Sequence, residues 1–178
     1  MIKKKQILKI GNFMTKTSAK HTLNDLDNEA ILKKSLGMFA TGITVVTTID
    51  ENKNPIGMTV NSFASVSLNP SLVLWSIEKN QPSYKKFLNS DGYAVNILTK
   101  DQIDLCSHFS SPIENKFNNV SWELSEHGHP LIKDALAWFD CVKWNDYNGG
   151  DHQILVGEVK SHDFIENEPL LYWNSKIS

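Results

Sequence analysis

Stretches of apolar residues, separated by turn-forming residues, divide the chain into strands with a few short helices. Apolar positions recur at helical spacing between Asp27 and Gly42, which predicts a helix that Asp27 or Asn28 caps and that ends at Gly42. A second short helix is predicted after Pro82, and a third at residues 101–109. Strands are predicted at residues 43–49, 55–67, 71–77, 93–98, 135–144, 152–159 and 169–173. This order of elements predicts an antiparallel barrel or sandwich with helices at its ends.

One predicted strand, "TVNSFASVS", lacks the usual alternation of core-facing and solvent-facing residues. Alternation would place Thr59, Asn61 and Phe63 on one face of this strand. Val60 and Ser62 would share the other face, so each face mixes apolar and polar groups. Such a lining suits a flat heteroaromatic ligand with a polyhydroxyl arm that ends in phosphate. The alternative is a half-exposed strand in an ordinary β protein, and these residues alone favour it.

Composition changes the picture by excluding several classes of protein. The 178 residues are 40% hydrophobic and 21% charged, which fits one globular domain. All 18 basic residues are lysines, and they are interspersed with 20 acidic residues, so no basic surface for nucleic acid is predicted. The basic N-terminus lacks an apolar core, and no later apolar run is long enough to span a membrane. We take residues 1–24 as a flexible arm and residues 25–178 as the domain.

Candidate metal and redox residues give weak signals. Cys106 and Cys141 are the only cysteines, and their surroundings predict packing in a reduced, cytoplasmic protein. His127 and His129 lie in a region predicted as a loop from residue 110 to 130, where no third ligand is evident. We expect both histidines to be solvated and no metal to bind.

Eight segments occur in the order and approximate spacing of one known family. They are "LGMFATGITVVTT", "GMTVNSFASVSLNPSLVLWSI", "PSYKKFL", "YAVNIL", "KF", "PLI", "ALAWFDC" and "GGDHQILVGEV". From Ile31 to Trp173 the chain therefore resembles the flavin-reductase-like family, NAD(P)H:flavin oxidoreductases that supply reduced flavin to two-component monooxygenases. The resemblance implies a mainly β fold, a split β-barrel of the FMN-binding type with a few short helices, and a homodimer.

The resemblance also implies cofactors and site residues. The flavin would be FMN or FAD, and the hydride donor NADH or NADPH. The residues expected along the flavin ring, its ribityl chain and its phosphate are Thr59, Val60, Asn61, Ser62, Ser65, Val66, Ser67, Ser83, Lys116 and Phe117. His152, in "GGDH", would be the catalytic residue: it would lie beside the face where nicotinamide stacks and would orient its carboxamide or ribose, with an acid–base role as the alternative. Asp151 is expected mainly as a turn residue, since Gly149-Gly150-Asp151 has the composition of a hairpin turn.

Three functions remain open at this point. The first is a reductase that releases reduced flavin to a partner monooxygenase, and the second is a flavoprotein that keeps FMN bound and reduces another small acceptor. The third is a non-catalytic flavin-binding protein, because a fold does not fix a function. The chain has no arginine to bind the 2′-phosphate of NADPH, so the sequence favours NADH.

Overall fold

The computed structural model describes residues 27–178. The predicted flexible arm, residues 1–24, lies outside the described residues, so the boundary of the domain stays a prediction. Helix α1 (Asp27–Leu36) ends at Leu36, so its predicted extension to Gly42 is wrong. The physical reason is that Thr41–Gly42 form strand β1, which pairs with strand β11 (Leu171–Trp173) near the C-terminus.

All the other predicted elements are present, some with shifted, shorter, longer or divided bounds. The remaining strands are β2 (Thr44–Ile49), β3 (Pro55–Val60), β4 (Ala64–Leu68), β5 (Ser71–Glu78), β6 (Gly92–Ile97), β7 (Trp122–Leu124), β8 (Pro130–Ile132), β9 (Ala137–Gly149), β10 (His152–Phe164) and β12 (Lys176–Ile177). Helices α2 (Tyr84–Asn89) and α3 (Ile103–Ser110) match the second and third predicted helices, and a short 3₁₀ turn precedes α3. The prediction of a loop from residue 110 to 130 is partly wrong, because β7 lies within this region and pairs with β8.

Most strands join one antiparallel sheet, which confirms the mainly β prediction. Seven strands follow the order β3-β2-β6-β9-β10-β5-β4, and the two smaller sheets are β1-β11-β12 and β7-β8. Strands β9 and β10 form the longest hairpin, with 13 residues in each strand. Within residues 27–178, no helix has both the length and the apolar content that a membrane crossing needs.

Strand β2 shows why the sequence forms this core. Its run of β-branched residues is buried along almost its whole length, as expected for a strand covered on both faces. Val46 packs into the main core around Trp75, whereas Val45 packs into a second core around Phe109 of α3. The helix α3 therefore covers the face of the sheet that the main core does not use.

Candidate functional site

Neighbouring residues at the end of β3 face two different layers of the molecule. Thr59 Oγ1 donates a hydrogen bond of 2.8 Å to the carbonyl oxygen of Cys106 in α3. Gly57 faces the same helix, since a Cβ at this position would lie 2.6 Å from a ring carbon of Phe109. Val60 instead packs in the main core. Thr59 is therefore held against α3, whereas Val60 belongs to the interior.

Strand pairing stops after Val60 and resumes in β4, which overturns one prediction from alternation. Phe63 packs against the main core, on the side of Val60, and its ring lies 5.6 Å from that of Phe139. The prediction that Phe63 shares a face with Thr59 is wrong. The irregular residues 61–63 interrupt the strand, so the count of alternate residues does not continue through them.

Asn61 and Ser62 bring the chain beside β5. Asn61 is exposed. Ser62 Oγ donates a hydrogen bond to the carbonyl oxygen of Ser76 and accepts one from the backbone N–H of Ser76, each at 3.0 Å. This double contact fixes Ser62 next to the second half of β5.

Strand β4 contains a β-bulge at Val66. Ser65 lies opposite Val73, but Ser67 lies opposite Leu72, so Val66 has no partner of its own in β5. Val73 points into the main core, and Leu72 therefore faces the outer side of the sheet. The bulge places Ser67 on this outer face and Ser65 on the other face, although regular alternation would have put both serines on one face.

The three residues expected near the phosphate lie on two sides of β3. Ser83, just before α2, has its Oγ 3.7 Å from the sulfur of Met58, which packs against the main core. Lys116 Nζ donates a hydrogen bond of 2.6 Å to the carbonyl oxygen of Phe109 in α3, and burial lowers the pKa of Lys116. Phe117 packs edge-to-face on Phe109, with ring centroids 5.2 Å apart. The structure thus groups Lys116 and Phe117 with α3, apart from Ser83.

His152 begins β10 directly after a two-residue turn formed by Gly150 and Asp151. Its Nδ1–H donates a hydrogen bond of 2.7 Å to Oδ1 of Asp151, which directs Nε2 away from the carboxylate. The hydrogen bond from His152 holds the pKa of Asp151 below its usual value. The side chain of His152 is 43% exposed, so a ligand can reach it. Asp151 therefore orients His152 as well as forming the turn.

Strand β5 places three of the predicted site residues in a line. His152 lies opposite Glu78, Ser62 lies beside Ser76, and Ser67 lies opposite Leu72. Residues 72, 76 and 78 point to one side of β5 because their separations are even, and at about 3.3 Å per residue they span about 20 Å. Their order along the strand is the order expected for phosphate, flavin ring and nicotinamide.

The face that carries this line is the outer face of the sheet. Val73, Trp75 and Ile77 alternate with it and are buried in the main core. Between the polar ends of the line, Leu74 on β5 and Ile154 on β10 are half-buried. Ile154 lies opposite Ser76, and Leu74 lies two residues before Ser76 on the same side of β5. A flat apolar centre with hydroxyl groups at one end and an imidazole at the other can bind an extended heteroaromatic ligand.

A second polar cluster lies near the turn between β2 and β3. His129 and His127 each donate a hydrogen bond from Nδ1 to Asp140, at 2.7 and 2.8 Å, and Asp140 is completely buried. The expectation that both histidines are solvated is wrong for His129, which is 7% exposed. A cavity of about 640 Å³ borders both histidines, but none of the predicted site residues lines it. In residues 27–178, no group of three or more His, Cys, Asp or Glu residues is arranged to hold a metal ion.

Sequence reasoning missed several residues because only strand pairing reveals them. Glu78 lies opposite His152, and Lys79 contacts the turn that precedes His152. Asp140 is separated by about a dozen residues from the histidines it binds, and a strand residue in an apolar run gives no signal of such a role. Knowledge of which strands are neighbours would have been needed to find them.

Comparison with known proteins gives a consistent result. The family model described as "Flavin reductase like domain" matches residues 36–178. The chain is 43% identical over 130 residues to the reductase component of the flavin-dependent trigonelline monooxygenase of Acinetobacter baylyi, covering 73% of this chain and 42% of that protein. It is 40% identical over 146 residues to the FMN reductase (NADH) SmoA of Agrobacterium fabrum, covering 82% and 83%.

Solved structures agree with the sequence comparison. The NADH:FAD oxidoreductase SgcE6 of Streptomyces globisporus, in complex with NAD and FAD fragments, superimposes with a TM-score of 0.82 at 35% identity, over 89% of this chain and 96% of that one. The predicted split-barrel fold class is thereby confirmed. The chain spans 42% of the length of the first two curated relatives that it matches.

Proposed function

Because the chain belongs to the flavin-reductase-like family, we propose that it is an NAD(P)H:flavin oxidoreductase that transfers hydride from NADH to FMN or FAD. The family match over residues 36–178 confirms the resemblance found in the sequence. Relatives are named as an FMN reductase (NADH) and as an NADH:FAD oxidoreductase, which supports NADH as the donor and either flavin as the acceptor.

The line of Ser67, Ser62 and His152 along the outer face of β5 carries this proposal. Its length of about 20 Å suits an extended flavin with its phosphate arm at the Ser67 end. Ser67 reaches this face only because of the bulge at Val66. Since the chain has no arginine, hydroxyl groups, backbone N–H groups and lysines would hold the phosphate.

The residues of the chain would act mainly by positioning the two cofactors. A bound flavin supplies the hydride-accepting ring, and the nicotinamide supplies the hydride. Leu74 and Ile154 would support the flat ring, and stacked rings need to approach to about 3–3.5 Å for transfer. His152 has Nδ1–H committed to Asp151, so its Nε2 is available to accept a hydrogen bond from the nicotinamide carboxamide or a ribose hydroxyl.

We also propose a homodimer and a partner that receives the reduced flavin. Two relatives are named as reductase components of flavin-dependent monooxygenases, which supports a monooxygenase as the partner. Val66 and Leu68 of edge strand β4 are 49% and 93% exposed, and a partner subunit packed on this edge would cover both apolar side chains. The cytoplasmic location expected from the cysteine content stays a prediction.

The proposal is tested by following NADH oxidation by desalted protein with and without added FMN or FAD. We expect rapid turnover only with added flavin, and slower turnover with NADPH. His152→Ala should raise the apparent KM for NADH or slow flavin reduction by about tenfold or more, because the nicotinamide loses its orienting group. His162→Ala is the matched control, since His162 is exposed at the far end of the same strand. Unchanged kinetics in His152→Ala would show that His152 is not part of the site.

Other outcomes point to the two remaining functions. Flavin that stays bound through desalting, with turnover that needs no added flavin, would indicate a flavoprotein with tightly bound FMN that reduces another acceptor. If neither nucleotide is oxidised with either flavin, the reductase proposal fails, and flavin binding without turnover would then indicate a non-catalytic flavin-binding protein.

A further inference from the structure

The turn that carries His152 is rich in glycine. Gly150 and Asp151 form the two-residue turn, and Gly150 has φ +77°, a conformation typical of the first position of a type II′ hairpin turn. Gly149 precedes it, so two consecutive glycines, with their large conformational freedom, lie next to the imidazole. Contacts from outside the hairpin therefore add to the restraint on His152.

Lys79 provides such contacts from the end of β5. Its backbone N–H donates a hydrogen bond of 2.9 Å to the carbonyl oxygen of Asp151. Its Nζ donates a second hydrogen bond, of 2.5 Å, to the carbonyl oxygen of Gly150 and a third to Oδ1 of Asn148. Lys79 thus contacts Asn148 at the end of β9 and both residues of the turn, Gly150 and Asp151.

We propose that Lys79 is a positioning residue that fixes the β9–β10 turn, so that His152 Nε2 faces the nicotinamide in the geometry needed for hydride transfer. The proposal rests on the proposed reductase function, because it assumes that His152 contacts the nicotinamide. The contacts pass from Lys79 to the backbone of Gly150 and Asp151, and from the Asp151 carboxylate to the His152 ring. Lys79 itself acts only through this turn.

The charge of Lys79 matters as well as its length. Carbonyl and amide oxygens that accept hydrogen bonds from an ammonium group are held more strongly than those that accept from a neutral group. An arginine at this position has five N–H donors and can serve the same two oxygen atoms, whereas a methionine of similar length can serve neither. Comparison of the arginine and methionine variants therefore distinguishes an effect of the hydrogen bonds from an effect of side-chain volume.

The test combines amide hydrogen exchange with steady-state kinetics on the full chain. Lys79→Met should increase the exchange rate of the amides of residues 149–152 by about tenfold, with an unchanged melting temperature. It should also lower kcat/KM for NADH by about tenfold while the KM for flavin stays within about twofold, because only the nicotinamide end of the site is disturbed. Lys79→Arg should restore both values to within about threefold of the wild type. Lys85→Met, at an exposed position of α2, is the control and should change neither.

Exchange rates at residues 149–152 that stay at the wild-type value in Lys79→Met would overturn the proposal. An equal loss in Lys79→Met and Lys79→Arg would also overturn it, because arginine keeps the charge and the N–H donors, and the loss would then not come from the hydrogen bonds that Lys79 Nζ donates. The exchange measurement needs no turnover. A wild-type protein that oxidises no NADH therefore refutes the reductase function, while faster exchange in Lys79→Met would still establish that Lys79 fixes the turn.

Discussion

Asp140→Asn tests whether one buried carboxylate holds the β7–β8 hairpin against the main sheet. Asp140 lies in β9 and has no exposed surface. Its Oδ1 accepts a hydrogen bond of 2.7 Å from His129 and its Oδ2 one of 2.8 Å from His127. Burial by itself raises the pKa of Asp140, but the hydrogen bonds that its carboxylate accepts outweigh burial, and the pKa lies below its usual value.

The structure sets the size of the expected effect. Asparagine keeps the volume of aspartate but replaces one acceptor oxygen by an NH₂ group, which would face an imidazole N–H. A hydrogen bond to a buried charged group contributes about 1.5–3 kcal/mol, and Asp140 accepts one from each of the two histidines. Because an imidazole can change tautomer and recover part of this, we expect the free energy of unfolding to fall by about 3 kcal/mol. The melting temperature should fall by about 6–12 °C, at about 2–4 °C for each kcal/mol.

The effect should depend on pH in a defined direction. The folded-state pKa of Asp140 lies below its unfolded value, so the stabilisation is fully present above the unfolded pKa of about 4. It is lost as the pH falls through the folded-state pKa. The wild type should therefore lose stability in this acidic range with a slope that Asp140→Asn lacks.

Urea unfolding at neutral pH and at a series of acidic pH values measures both effects. Asp134→Asn is the control, because Asp134 is exposed and its φ of 59° is one that asparagine tolerates. A loss below about 1 kcal/mol for Asp140→Asn would refute the calculation from buried hydrogen bonds. An acidic slope equal to that of the wild type would show that other carboxylates control the acid unfolding.

Three further predictions concern the core and the end of β3. Gly157→Ala should lower the free energy of unfolding by about 2 kcal/mol or more, since the new Cβ would lie 2.6 Å from Oη of the buried Tyr93; denaturant unfolding measures this. Burial raises the pKa of the Cys141 thiol to about 12, so a thiol reagent at pH 8 should leave it unmodified until the protein unfolds, which mass spectrometry detects. Thr59→Val removes the hydrogen bond to Cys106 and should lower the free energy of unfolding by about 1 kcal/mol. It should also raise the apparent KM for flavin, and an unchanged KM would place Thr59 outside the site.

Much of the fold was predictable because local patterns determine it. The β-branched run of β2, the turn residues after it and the apolar run of β5 each indicate a strand from a few neighbouring residues. The end of α1 was not predictable in this way. Gly42 is a plausible helix end by its own chemistry, but Thr41–Gly42 pair with residues 171–172, which are distant in sequence.

The candidate site shows the same division. The sequence indicates a polar run from Thr59 to Ser67 and a histidine after a glycine-rich turn, and the family resemblance assigns their expected roles. It does not indicate that Ser67 reaches the outer face, because the bulge at Val66 depends on pairing with β5. Nor does it indicate that Lys79 holds the turn before His152, because that contact depends on β5 lying beside β10.

The sequence by itself therefore determined which segments are strands, where most turns fall and which residue types are available for a flavin and a nicotinamide. Local propensity and side-chain periodicity act over a few residues, so one chain is enough to recognise them. Only the tertiary structure decided the order of the strands, the face on which each polar side chain lies and the pairing of Asp140 with two histidines. These features result from hydrogen bonds and packing between segments far apart in the chain, and no short stretch of sequence contains both partners.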